Sequence, residues 1–253
     1  MSPEEILDEV MVVPRRAFPT LPDMRVIERT GWLQIITPSI KSGALNEVAY
    51  SALEGPDVDA IIDAAVAEYR ALGLKFRWNV GPGSSPADLG ERLTRRVLVA
   101  SWGRGMACSI SDLAGARDPA IRVDEVDATT VDTFSKVMAE GWSLPLEPLA
   151  HINTLIMAAP DRRQRLFLAS VDGTPAAIAS YVSFARSAYL IGGVVLPGFR
   201  GRGVYRALVQ TRMAHARARG IMLATSHARE STSAPILEGL GFQTICRFPM
   251  YFG

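Results

Sequence analysis

One stretch constrains this chain more than any other: residues 188–220, AYLIGGVVLPGFRGRGVYRALVQTRMAHARARG. Its apolar, β-branched opening predicts a strand from Tyr189 to Leu196. Pro197 and Gly198 end that strand. After Arg200-Gly201-Arg202-Gly203, apolar residues recur at Tyr205, Leu208, Val209, Met213 and Ala216. This spacing predicts a helix with one buried face, and Gly220 stands where a helix-ending glycine is expected. Gly192 and Gly193, adjacent inside the strand, mark a bulge or a close backbone approach.

A strand that feeds a glycine-rich turn at a helix N-terminus is an anion site. The first N–H groups of the helix have no internal partner, and the helix dipole favours negative charge there. Two familiar phosphate fingerprints are excluded by residue identity. A Rossmann turn needs a third glycine at 206, which is Arg206, and no Gly-Lys-Ser/Thr of a Walker loop occurs. Charge distribution agrees with an anionic ligand. The net charge is only +1, yet no Asp or Glu occurs from Gly173 through Arg229, a span holding arginines 186, 200, 202, 206, 212, 217, 219 and 229. The span lacks interleaved exposed aromatics or a recognised binding motif, so no nucleic-acid partner is expected.

The rest of the sequence narrows the class. At 253 residues, with 48% hydrophobic and 21% charged, the chain can bury one large core or two small ones. Cys108 and Cys246 offer neither a disulfide framework nor zinc spacing, and the three histidines are isolated, so no metal is expected. There is no Gly-x-Ser-x-Gly elbow. No secretory leader or membrane-spanning apolar run is apparent, which predicts a cytoplasmic protein with no membrane partner.

Taken in order, the pattern predicts a short helix over 3–13, strand character over 26–36 and 47–53, and a helix from Pro56 to Leu72 ended by Gly73. A strand over 74–80, a short helix over 86–96 and strands over 97–102 and 106–110 follow. The loop 81–86 also joins a strand to a helix but carries no basic residue. Residues 114–119, small and charged and ending in Pro119, are the expected joint between domains 1–115 and 120–253. Beyond it come a strand (121–126), helices (129–140, 147–157), a hairpin across Asp172-Gly173 (166–171, 176–184), the strand and helix already described, a strand (222–226), a short helix (233–239) and a last strand (242–252). Periodicity alone gives an α/β domain with a mixed sheet.

The Val195-Leu196-Pro197 strand end, followed by Arg200-x-x-Gly203, resembles the coenzyme A loop of the GCN5-related N-acetyltransferases (GNAT family). Tyr205 departs from that pattern, standing where the family usually has Gly or Ala. The element order over about 130 residues and Gly241-Phe242 after the last helix extend the resemblance. It implies the GNAT acyl-CoA N-acyltransferase fold: an α/β (α+β) domain with a mixed, mostly antiparallel sheet flanked by helices. Trp78-Asn79-Val80-Gly81-Pro82 and Pro86-Ala87-Asp88-Leu89-Gly90 resemble the N-terminal half of two-part GNAT proteins, implying a tandem chain whose first half is degenerate and shapes the acceptor pocket.

The resemblance implies acetyl-CoA as co-substrate, a small amine as acceptor, no metal, and a monomer or homodimer. Acyl transfer to an amine needs a fixed donor, a stabilised oxyanion and a deprotonated nitrogen. The backbones of Gly193, Val194 and Val195 are implied to hold the pantetheine arm and polarise the thioester, and the N–H groups of Arg200, Gly201, Arg202, Gly203, Val204 and Tyr205 to hold the pyrophosphate. The tyrosine that many members use to protonate the thiolate falls at Leu237, and no carboxylate lies on the strand 189–196. The acid/base candidates are therefore His227, Glu230 and Tyr251, beside a water relay with no single base. Trp142 and Glu140 are the acceptor-side candidates, with His151 and Asn153 weaker ones. Two alternatives stay open: a non-catalytic acyl-CoA-binding module, and an acyltransferase using a longer acyl-CoA or a hydroxyl acceptor.

Overall fold

A computed structural model describes residues 1–17, 21–41, 43, 45–96, 98–110 and 118–253. Along the chain the elements are α1 (Pro3–Met11), β1 (Arg25–Arg29), β2 (Trp32–Ile36), β3 (Glu47–Ser51), α2 (Val58–Ala71), β4 (Arg77–Asn79), α3 (Leu89–Arg95) and β5 (Val99–Ser109). There follow β6 (Ile121–Glu125), α4 (Val131–Trp142), α5 (Leu146–Ala158), β7 (Gln164–Val171), β8 (Thr174–Ser183), β9 (Ala188–Val195), α6 (Val204–Arg217), β10 (Leu223–Arg229), α7 (Ser233–Glu238) and β11 (Gln243–Phe252). Most expected elements are present to within a few residues. Two readings change. The stretch 26–36 is a hairpin rather than one strand, because Gly31 at φ +83° reverses the chain between β1 and β2. The two strands expected at 97–102 and 106–110 are one strand, β5, which runs through Gly103 and Gly105.

By compactness the chain divides into two units: Met1–Pro19 with Gly105–Ile245, and Thr20–Arg104 with Cys246–Gly253. Residues 114–117 of the expected joint lie outside the described residues. The smaller unit has strand order β1-β2-β3-β4-β11. Its core stacks Tyr69 on Phe76, with ring centroids 4.5 Å apart, beside Trp32, Ile62, Trp78, Leu89 and Leu93.

The larger unit has strand order β5-β10-β9-β8-β7-β6. The β6–β7, β7–β8 and β8–β9 pairs are antiparallel and β9–β10 is parallel, so the sheet is mixed and mostly antiparallel. The β7–β8 turn follows from its sequence: Asp172 (φ 50°) and Gly173 (φ +79°) are both left-handed, as a two-residue hairpin turn requires. The main core lies under α6, where Val204, Leu208, Val209, Met213 and Ala216 pack on Phe167, Ala177, Ala179, Tyr181 and Leu190. Helix α1 is set by a capping box: Glu5 N–H donates to Ser2 Oγ at 3.2 Å, and Ser2 N–H to Glu5 Oε2 at 2.7 Å. Its far end is fastened to the β8–β9 connection. Buried Glu9 accepts hydrogen bonds from Arg186 Nε (2.9 Å) and Ser187 Oγ (2.5 Å). No helix among the described residues is long and apolar enough to cross a membrane.

A polar cluster crosses this core. His215 on α6 lies between Tyr181 Oη, 2.7 Å from Nδ1, and Glu125 Oε2, 2.9 Å from Nε2. Arg162 and Arg165 hold the other carboxylate oxygen at 2.7 and 3.3 Å. A neutral imidazole satisfies this geometry, with Nε2–H donating to Glu125 and the tyrosine hydroxyl donating to Nδ1. Burial accordingly pushes the His215 imidazole below its ordinary value, outweighing the upward pull of Glu125. For Glu125, burial alone raises the carboxyl, but His215, Arg165 and Arg162 together hold it below the usual carboxylate range. Both groups therefore bind fewer protons in the folded state than in the unfolded chain under acid. Stability is full at neutral pH, declines as pH drops through about 6.5 as unfolded His215 gains its proton, and declines again below about 4.3 through Glu125. The urea unfolding midpoint is expected to be lower at pH 5.5 than at pH 7.5. His215→Gln should be less stable than the parent at pH 7.5 and should lose part of that pH dependence; an unchanged pH dependence in the variant would contradict this account.

Candidate functional site

The site begins with a failure of strand pairing. Parallel strands β9 and β10 are in register over only three pairs, Ala188 with Ala224, Tyr189 with Thr225 and Leu190 with Ser226. Ser226 Oγ clamps the last pair by donating to Leu190 O at 2.9 Å. Beyond it β9 continues to Val195 with β8 as its partner. On the other side pairing with β10 ends at Leu190, so Ile191–Val195 run on without a partner in that strand.

Gly192 and Gly193 lie just beyond the last β9–β10 pair. Against β8 the register jumps from Ile178–Val194 to Ser180–Ile191, so two glycines oppose the single residue Ala179. That is a bulge, and it adds local twist. Gly192 sits at φ +69°, where a side chain is strained. A Cβ on Gly193 would meet Tyr205 Cε2 at 2.9 Å, so nothing larger than hydrogen fits without displacing that ring. Gly193 is exposed, and Val194 and Val195 are half-buried.

The loop that follows is preorganised for an anion. A 3-10 turn, Pro197–Phe199, leads to Arg200. Gly201 (φ +75°) and Gly203 (φ +81°) then turn the backbone through left-handed conformations. Gly203 is the N-cap of α6 and, being glycine, brings no side chain to the free N–H groups of the first turn. No acidic residue stands in that turn either. Left-handed residues in a turn before a helix can converge N–H groups into a concavity suited to phosphate. Arg200, Gly201, Arg202 and Gly203 are exposed and Val204 is buried beneath them. Arg200 Nε donates to Val195 O at 3.2 Å, and Arg202 lies 3.4 Å from Asp172. Two members of the local positive set are spent elsewhere: Arg186 pairs with Glu5 and Glu9, and Arg212 is buried.

The end of α4 closes on the bulge. Gly141 lets the helix approach β9, since a Cβ there would lie 2.8 Å from both Val194 methyls. Trp142 Cη2 is 3.7 Å from where a Gly192 Cβ would stand. The structure thus brings Trp142 to the Gly192-Gly193 bulge, with Glu140 exposed on the same helical end. Asn153 is fully buried and donates to Ser135 Oγ at 3.0 Å, tying α5 to α4, while His151 is exposed on α5.

The proton-transfer candidates are spread out. His227 follows Ser226, at the point of divergence. Its Nε2 is 2.7 Å from Val10 O, which can only accept, so Nε2 carries the proton; the ring edge packs on Tyr189, with centroids 5.2 Å apart. Glu230 is half-buried just after β10. Tyr251 is not in this unit: it lies in the core of the smaller one, with its hydroxyl packed against Gly90. Leu237 is 1% exposed in the α6–α7 core. The sequence reading missed that α1 holds His227 through Val10, a contact between residues 217 apart that no local pattern reports. Arg212, one of the eight arginines of the acid-free span, is buried and adds nothing to a surface charge. The signal for its burial was present, since Arg212 follows Leu208 by four residues on the apolar helix face.

Comparison with known proteins agrees with this geometry. Residues 130–242 match the family model described as Acetyltransferase (GNAT) family. No curated protein matches the chain. Among solved structures, a GCN5-related N-acetyltransferase from Kribbella flavida has a TM-score of 0.66 at 13% identity, over 97% of this chain and 93% of its own. One from Sphaerobacter thermophilus has a TM-score of 0.64 at 13% identity, over 100% and 93%. A tandem GNAT protein from the clavulanic acid biosynthesis pathway has a TM-score of 0.59 at 13% identity, over 98% and 94%. The likeness in fold therefore extends over the N-terminal residues as well. The β9 edge, the glycine loop and the helix it feeds all fall inside the span, residues 130–242, that matches the GNAT acetyltransferase family model.

Proposed function

We propose that this protein is an acetyl-CoA-dependent N-acetyltransferase that acetylates a small amine by direct attack on the thioester. The observation that carries the reading is the divergence of β9 from β10 after Leu190 and Ser226, ending in an uncapped glycine loop among arginines. The gap offers an unpaired strand edge to an amide-bearing arm such as pantetheine, by the logic of strand addition. In this reading the backbones of Gly193, Val194 and Val195 hold the arm and polarise the thioester carbonyl. The N–H groups from Arg200 to Tyr205 hold the pyrophosphate, with Arg200 and Arg202 adding charge. Trp142, against the bulge, forms a wall of the acceptor side, and Glu140 draws a cationic amine toward it. His227, its Nε2–H held by Val10, accepts the amine proton at Nδ1, directly or through water, with Glu230 as a nearby carboxylate. The N-terminal half is then the degenerate partner of a tandem arrangement, its loop 81–86 lacking a basic residue.

A second reading is a non-catalytic acyl-CoA-binding module. It is favoured by Leu237, a buried hydrocarbon on α7 where the family resemblance leads one to expect a phenol. Free-thiol release from acetyl-CoA across a panel of small amines separates the two. Turnover with any amine supports the enzyme, and coenzyme binding with no release supports the module.

Coenzyme A itself tests both. At 100 times its dissociation constant it should raise the unfolding free energy by about 2.7 kcal/mol, read as an upward shift of the melting temperature. No shift at millimolar coenzyme A would contradict either reading.

Gly203 tests where the phosphates sit. Gly203→Val should lower stability by about 1–2 kcal/mol from left-handed strain, and should abolish coenzyme A binding by placing a side chain over the first turn. Gly203→Asn, which tolerates that backbone, should recover most of the stability and less of the binding. Coenzyme A binding by Gly203→Val at the parent affinity would show that the phosphates lie elsewhere.

A further inference from the structure

Beyond the bulge, on the side away from the glycine loop, the sheet presents an apolar patch. Ser180 pairs with Ile191 and Val182 with Tyr189. Directly opposed residues of antiparallel strands share a face, and so do residues two apart along one strand. Ala17, Val182 and Tyr189 are buried together there, with Phe184 and Ile191 packed against them and partly exposed. From Ser180 to Phe184 the patch extends about 13 Å at strand spacing. Trp142 stands at its bulge end, since Cη2 is 3.7 Å, and Ser180 Oγ 3.3 Å, from where a Gly192 Cβ would be. His227 borders it from β10, its ring edge-on to Tyr189.

The charges around this patch are as selective as its shape. No Asp or Glu lies on β7, β8, β9 or β10. The carboxylate that reaches the β8–β9 connection, Glu9, is buried and already holds Arg186 and Ser187. The Ser180 hydroxyl is committed too: it donates to Ile191 O at 3.2 Å and accepts from Gln164 Nε2 at 3.1 Å. The charge that lies over the patch is positive. Arg163 is exposed, with its guanidinium 5.6 Å from the centre of the Phe184 ring. An ammonium group brought onto this surface would lose water and meet a guanidinium instead of a carboxylate. An alkyl chain or a flat ring would gain by burial against Phe184, Ile191 and Trp142.

We propose that the acceptor is a primary monoamine with an apolar body, which lies along this patch with its nitrogen at the bulge, and that polyamines and other polycations are rejected. The inference rests on the reading that acetyl-CoA lies along β9 and gives its acetyl group to an amine. The body of the acceptor packs on Ile191 and Phe184, with Trp142 as a wall. Its one ammonium stays near the bulge, where Glu140 at the end of α4 can draw it in. Burial supplies the affinity, and Arg163 supplies the discrimination against a second positive charge.

The test is a ladder of acceptors with acetyl-CoA as donor. kcat/KM is measured for ethylamine, butylamine, hexylamine and 2-phenylethylamine, and for 1,6-diaminohexane, which is hexylamine with a second ammonium. The parent should gain about two- to fourfold per added methylene, and should use the diamine about tenfold or more less well than hexylamine. Phe184→Ser should flatten the ladder. Arg163→Glu, a change at an exposed position, should raise the diamine relative to hexylamine by about fivefold and leave the ladder as it is. Turnover with a flat ladder, or with the diamine equal to hexylamine, overturns the proposal and leaves the N-acetyltransferase reading standing. A flat ladder with hexanoyl-CoA used better than acetyl-CoA gives the patch to the acyl chain and overturns the proposal as well. An unchanged diamine ratio in Arg163→Glu overturns the role of Arg163. Coenzyme A binding with no turnover of any amine overturns the proposal together with the enzyme reading.

Discussion

Everything in the larger unit depends on one strand giving up its neighbour. Strand β9 keeps β10 for three residue pairs and then releases it, at the cost of backbone hydrogen bonds the sheet could have made. Two glycines make the release possible, since Gly192 adopts a left-handed φ and Gly193 leaves room for Tyr205. Glycine in a strand interior weakens the strand by about 0.5–1 kcal/mol per residue relative to alanine, so the pair is a local loss of stability. The packing of α6 and the clamp at Ser226 offset it. What the sheet gains is a length of β9 without a partner in β10, leading to an uncapped helix.

Helix α6 then serves two ends. Its N-terminus supplies free N–H groups without a competing side chain. Its body carries two polar groups across an apolar face, with opposite consequences. His215 is satisfied as a neutral ring between Tyr181 and Glu125, and fastens α6 to β6 and β8. Arg212 is left partly unsatisfied beneath the bulge. A satisfied buried network stabilises, whereas an orphaned donor costs free energy unless something else requires it.

Local pattern made most of the fold legible. The 3.6-residue spacing of Leu208, Val209, Met213 and Ala216 gave α6 its buried face, Asp172-Gly173 gave the hairpin, and Gly192-Gly193 gave the bulge. The break at Gly31 was visible as a glycine yet read as part of a strand, because the residues on both sides have strand character. The loop residues of the site were legible because glycine and arginine at fixed offsets reflect local backbone chemistry. The partners that tune the site were not. Val10 with His227, Trp142 with Gly192, and Ser180 with Arg212 join residues far apart in the chain, and no period or propensity encodes which of them meet.

The central claim is that the released edge of β9 and the loop after it together form one coenzyme site. Amide hydrogen exchange with and without coenzyme A reads this residue by residue, because the proposed site would engage backbone N–H groups in both segments. The account predicts slowed exchange on binding across 191–195 and 201–205, with β7 and the β7–β8 turn at 172–173 unchanged. Protection confined to other segments, or absent from 191–195 while coenzyme A is bound, would contradict it.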